Sequence, residues 1–110
     1  MKATELRIGN WVMYSSKIQV NENKIRECVD HPDRFAPIPL TEEWLERFGF
    51  NKINHIHNGV IWCHSKIKIT WYSNGMIDLR GSAGWQRIYY VHALQNLYHA
   101  LTGQELTIKE

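Results

Sequence analysis

Between residues 66 and 89 the chain repeats one chemical theme: Lys66, Lys68, Arg80 and Arg87 are interleaved with Tyr72, Trp85 and Tyr89. Cations neutralise phosphates, and aromatic faces stack on bases or hold a cation, so this set suits an anionic ligand that carries flat rings. It becomes a surface only if its members share one side of a sheet. In "KIKITWYSNGMIDLR", residues 66–80, charged and apolar side chains alternate on both sides of Asn74-Gly75, the pattern of a hairpin. A two-residue type I′ turn would pair Ser73 with Met76 and mix charged with apolar side chains on both faces. A three-residue loop, Ser73-Asn74-Gly75 with Gly75 left-handed at a bulge, pairs Trp71 with Ile77, Thr70 with Asp78, Ile69 with Leu79 and Lys68 with Arg80. A slip of one residue flips every side chain, so the hydrophobic pattern selects the bulged turn.

The same division extends one strand further if "GSAG", residues 81–84, is a four-residue loop leading into "WQRIYYV". Arg80 then faces Trp85, Asp78 faces Arg87, Met76 faces Tyr89 and Ile77 faces Ile88. The expected inner face is Ile67, Ile69, Trp71, Ile77, Leu79, Ile88 and Tyr90, with Gln86 discordant. The outer face is Lys66, Lys68, Thr70, Tyr72, Asp78, Arg80, Trp85, Arg87 and Tyr89. Lys68 opposite Arg80 is a like-charge pair that an overlying anion would relieve. "RGSAGWQR" adds small residues and backbone N–H groups around Ser82, the makings of an anion nest. The candidate ligand-binding set is therefore Lys66, Lys68, Tyr72, Arg80, Ser82, Trp85, Arg87 and Tyr89. The competing reading is a solvated sheet face, its rings covered by the following helix or by an oligomer partner.

Other clusters carry less. His55 and His57 alternate on a strand, with Cys63 or His64 joining them according to register, but the spacing matches no standard zinc signature. Whether they meet a metal stays open at this level, and no metal ligand, cofactor or catalytic residue is assigned. His92 and His99 share a helix face and have the types for an acid and base pair in RNA cleavage, without a positioned partner or cleft. A solvated helix face is the plainer reading.

Short elements position these residues. "ELRIGNWVMYSS" and "KIQVNENKIRECV" read as strands broken at Gly9-Asn10 and at Asn21-Glu22-Asn23. "DHPDRFAPIP" holds all three prolines and reads as loop. "PLTEEWLERFGF" reads as a helix with Thr41 as N-cap, Glu42 and Glu43 in the first turn, a Leu40–Leu45 staple and Gly49 at the C-terminal end. "NKINHIHNGVIWCH" suggests a hairpin about Asn58-Gly59. "YVHALQNLYHALTG" reads as an amphipathic helix, with Val91, Leu94, Leu97, Tyr98 and Leu101 on one side and His92, Gln95, Asn96 and His99 on the other. The fold expected is one α+β domain over residues 1–110: a curved antiparallel sheet or small open barrel with two helices, the C-terminal one packed on the sheet.

Composition sets the bounds. The 110 residues are 44% hydrophobic and 22% charged, ordinary for one folded domain with one core. Net charge is +2, too small for a strongly basic coat, but it is unevenly spread. Residues 1–50 hold seven Lys/Arg against eight Asp/Glu; residues 51–103 hold five against Asp78 alone. Five Trp, five Tyr and three Phe are more rings than so small a core requires, which places some on a working surface. Two cysteines without a CxxC motif, no apolar signal core and no run near the length of a membrane span suggest a reducing cytoplasm and no membrane partner.

Three stretches, "LRIGNWV", "IPLTEEWLERFGF" and "YVHALQNLYHALTGQEL", together resemble a widespread group of small uncharacterised proteins encoded by bacteriophages, prophages and mobile elements of gut bacteria. The resemblance covers about a third of the chain and is silent on the basic face. It implies a small accessory protein in a bacterial host cytoplasm. With the basic aromatic face, the expectation is a non-enzymatic binder of a nucleotide-like molecule or nucleic acid, sequestering it as a counter-defence. The alternatives are an inhibitor that contacts a host protein through its exposed rings, alone or as a homo-oligomer, and a small histidine-dependent nuclease.

Overall fold

The computed structural model describes residues 1–56, 59–64, 67–81 and 84–108; of Asn54–Ile56, Arg80, Gly81, Gly84 and Trp85 it describes the backbone alone. The architecture is α+β, with three helices and seven strands in two antiparallel sheets. The elements in order are β1 (Trp11–Met13), β2 (Lys17–Gln19), α1 (Glu22–Asp30), α2 (Glu42–Arg47), β3 (Asn51–Ile56), β4 (Gly59–His64), β5 (Ile67–Tyr72), β6 (Ile77–Gly81), β7 (Gly84–Arg87) and α3 (Val91–Thr102). β1 and β2 form a small hairpin; β3 to β7 form a five-stranded meander in chain order.

The helix over Glu22–Asp30 replaces a segment expected to be strand, so the helices number three where two were expected. The side chain of Asn21 accepts a hydrogen bond from the Lys24 N–H and caps the first turn. Glu22 pairs with Arg26 one turn on, and Lys24 with Glu27. Ile25 and Cys28 point to a core of their own with Leu6, Val12, Val20 and Phe35. Helical spacing of these apolar positions outweighs the β-branched residues that suggested strand.

α2 forms as its caps require. Thr41 Oγ accepts from the Trp44 N–H at 3.4 Å, and at the other end the N–H groups of Gly49 and Phe50 reach back to the carbonyls of Glu46 and Leu45. The proline-rich stretch is a turn at Pro32–Arg34 followed by extended chain. Ile38–Leu40 lies beside the start of α3: the Leu40 N–H donates to the Tyr89 carbonyl and the Val91 N–H to the Ile38 carbonyl.

The main core lies between α2, α3 and one face of the meander, where Leu45, Trp62, Ile67, Ile69, Leu79, Val91 and Leu94 are almost fully buried. Of the expected inner face, Ile67, Ile69, Ile77, Leu79 and Ile88 are buried and Trp71 is half-buried. Tyr90 is not: it precedes α3 in extended conformation and is 41% exposed. No helix among the described residues is long and apolar enough to cross a membrane.

Candidate functional site

The bulged hairpin forms in the register that the hydrophobic pattern selects. Lys68 pairs with Arg80, Ile69 with Leu79, Thr70 with Asp78 and Trp71 with Ile77. The Tyr72 N–H donates to the Met76 carbonyl at 2.8 Å, the Gly75 N–H donates back to the Tyr72 carbonyl, and Gly75 has φ +93°. A side chain at 75 would be strained in that conformation, and the Asn74 side chain supports the turn by accepting from the Met76 N–H at 3.1 Å. The next register also holds: Asp78 pairs with Arg87 and Arg80 with Trp85. The connection is tighter than a four-residue loop, because Gly81 and Gly84 are themselves paired as strand residues.

Cross-strand partners point to the same side of a sheet. The outer face of the meander is therefore a grid: Cys63, Lys68, Arg80 and Trp85 in one row; Ile61, Thr70, Asp78 and Arg87 in the next; Gly59 and Tyr72 at the end. With about 4.8 Å between strands and about 3.4 Å per residue, the grid measures about 14 Å by 14 Å. Lys68 is exposed, Tyr72 is half-buried and Tyr89 is 49% exposed, so the helix that follows does not cover Tyr89. Lys66 and Ser82 lie outside the described residues, as do the side chains of Arg80 and Trp85.

Asp78 is the one acid on this grid, and it is only 7% exposed. Its Oδ1 accepts from Arg87 Nε at 3.1 Å. That bond raises the Arg87 guanidinium above its already high value, with Tyr89 a smaller contributor. Arg87 is thereby held at Nε by Asp78, with Tyr89 also beside the guanidinium, and its side chain stays 42% exposed. The sequence reading placed Asp78 opposite Arg87 but did not foresee that the carboxylate would be buried as a support for the arginine.

The polar side of α3 is corrected more sharply. It was expected to be solvated, yet His92 and Gln95 are 4% and 1% exposed. Gln95 Oε1 accepts from the Trp11 N–H at 2.8 Å, and its Nε2 donates to the Gly9 carbonyl at 2.9 Å. Asn96 Oδ1 accepts from Arg7 Nη1 and Asn10 Nδ2, each at 2.9 Å, while its Nδ2 donates to the Glu5 carbonyl. His92 Nε2 lies 3.5 Å from Glu5 Oε1, and burial holds the imidazole below its ordinary 6.5. Glu5 itself is held below the usual carboxylate range by the Lys2 N–H first, with His92 adding to the effect. His99 faces Glu105 at 3.9 Å. These side chains fasten the N-terminal segment to α3; they do not form an acid and base pair in a cleft.

His55 pairs with Val60 rather than Cys63, and His57 lies outside the described residues. His64 faces inward, with Tyr98 Oη 3.4 Å from its Nδ1 and the Phe50 ring beside it. Among the described residues no three His, Cys, Asp or Glu side chains converge.

Two open grooves of about 410 and 430 Å³ lie away from the centre of the grid. The first is at the sheet end formed by the start of β4 and the β5–β6 turn, lined by Glu42, Val60, Trp71, Tyr72 and Ser73; the second lies between Tyr14, Ser15, Asp33 and Arg34. In comparison with known proteins, the chain matches no family model, no curated sequence and no solved structure. The reading of function rests on the surface itself.

Proposed function

We propose that the protein is a non-enzymatic binding module whose outer sheet face takes an anionic, ring-bearing ligand: a nucleic acid or a nucleotide-like molecule. The observation that carries the reading is the register. Lys68, Arg80, Trp85 and Arg87 hold register positions of one face, with Tyr72 at its end and Asp78 as the single acid among those positions, and the exposed Tyr89 follows β7. An open face of alternating cation and ring neutralises phosphates and stacks bases without enclosing them. Arg87, held at Nε by Asp78 and 42% exposed, offers its guanidinium to a phosphate. In the setting of a phage or mobile element, the same chemistry would sequester a nucleotide signal or contact nucleic acid in the bacterial cytoplasm.

The test is titration of the pure protein with short single-stranded oligonucleotides, cyclic dinucleotides and adenine nucleotides at two salt concentrations. Salt-sensitive binding, weakened in Lys68→Ala and Trp85→Ala, is expected. Absence of binding to every one of these ligands would refute the reading and favour a protein partner.

A further inference from the structure

Two hydrophobic cores meet beside α3. Leu6, Val12, Val20, Cys28 and Phe35 form one cluster, apart from the main core of α2, α3 and the meander. β1 is the strand they share: its pleat turns Val12 into the small core and leaves Trp11 and Met13 partly buried against the main one. Trp11 meets Trp44 there, with ring centroids 5.7 Å apart. The rest of the seam is polar. Gln95 and Asn96 hold backbone groups of Glu5, Gly9 and Trp11, Asn96 also accepts from Arg7 and Asn10, and Arg7 pairs with Glu105. Water replaces such bonds when their partners separate, so each adds only modestly to cohesion, whereas opening a joined apolar core has no such compensation.

The boundary between the two parts is one residue wide. Ala36 exchanges both backbone hydrogen bonds with Met13, each at 2.9 Å, which ties it to β1. The Ile38 carbonyl accepts from the Val91 N–H at 2.9 Å, which ties it to α3. Pro37 alone lies between these anchors. A segment of fewer than about 40 residues rarely sustains a core unaided, so residues 1–36 would lift off and unfold in one step.

We infer that residues 1–36 form a strap: a cooperative unit that detaches from α3 and unfolds while the meander, α2 and α3 stay folded. Opening bares His92, Gln95 and Asn96 but leaves the basic outer face in place, because every strand of the meander lies within residues 51–87. The strap therefore does not depend on what that face binds. The experiment is native-state hydrogen exchange of the whole chain, followed by NMR at low urea. The Met13 and Val20 N–H groups, bonded to the Ala36 and Asn10 carbonyls, are expected to exchange faster and with a weaker urea dependence than the amides of β5, which is paired on both sides. Ile69→Val, which removes one buried methylene from the main core, should speed exchange in β5 about two- to tenfold and leave Met13 and Val20 unchanged, because that core stays closed when the strap opens. Asn96→Ala should speed both sets, since both openings break the seam. If the two sets share one rate and one urea dependence, or if Ile69→Val speeds Met13 and Val20 as much as β5, the chain opens as a single unit and the strap is overturned. No change at Met13 and Val20 in Asn96→Ala overturns the polar seam as what holds it.

Discussion

The molecule has two polar surfaces that look alike in sequence and differ in three dimensions. Along α3, His92 and Gln95 are buried and Asn96 is half-buried against residues 5–11, and Gln95 and Asn96 spend their donors and acceptors inside the chain. Across the outer face of the meander, Lys68 makes no bond among the described residues and Arg87 stays 42% exposed beside Asp78, with Tyr89 half in solvent just after β7. A polar residue with all its partners in the chain is explained by folding. One that stays exposed beside like charges, as Lys68 does opposite Arg80, has an interaction energy still available to a ligand.

The contrast can be broken most severely at Gln95. Gln95→Leu keeps the volume but strands the Trp11 N–H and takes from the Gly9 carbonyl one of its two donors, leaving Gln19, and a loss of about 2–3 kcal/mol is expected. Thermal unfolding should show a Tm lower by about 10 °C or more. A variant as stable as the wild type would mean that the α3 seam is not structural. On the other surface, Asp78→Asn removes the only acid of the grid, and affinity for an oligonucleotide should rise about fivefold, near 1 kcal/mol. Weaker binding would instead assign Asp78 a positioning role through Arg87 that outweighs its charge.

A smaller effect separates the surfaces by pH. Above 6.5 the His92 ring is neutral in both folded and unfolded chains. As pH falls below that value the unfolded chain binds a proton that burial denies the folded one, so stability declines. Glu5 then adds its own loss below its ordinary 4.5, as its depressed carboxylate is protonated. Urea unfolding between pH 8 and 5 should show the first decline, and His92→Gln should flatten it; an unchanged slope would contradict the burial argument. Smallest of all, Lys68→Ala should alter stability by less than about 0.5 kcal/mol while weakening oligonucleotide binding severalfold.

The sheet was legible because alternation over two hairpins leaves one register compatible with a clean face, and both pairings hold. The caps of α2 were legible for a similar reason: Thr41 and Gly49 have local roles that need no tertiary partner. The helix at Glu22–Asp30 was missed because Ile18, Val20 and Ile25 suggest strand locally, and its support comes from a separate core with Leu6, Val12 and Phe35, residues outside the helix itself. The burial of Gln95 was hidden because its partners are the backbone of Gly9 and Trp11, more than 80 residues away, and a backbone group leaves no trace in residue types. Glu42 read only as a first-turn acid; its neighbours in the groove come from β4 and the β5–β6 turn.

The most direct test follows backbone amide resonances while a short single-stranded oligonucleotide is added at low salt. The account predicts shifts at Lys68, Thr70, Tyr72, Arg87 and Tyr89, with Gln95, Asn96 and Trp11 unmoved. Shifts gathered along α3 and residues 5–11, or none on the outer face at saturating ligand, would contradict it.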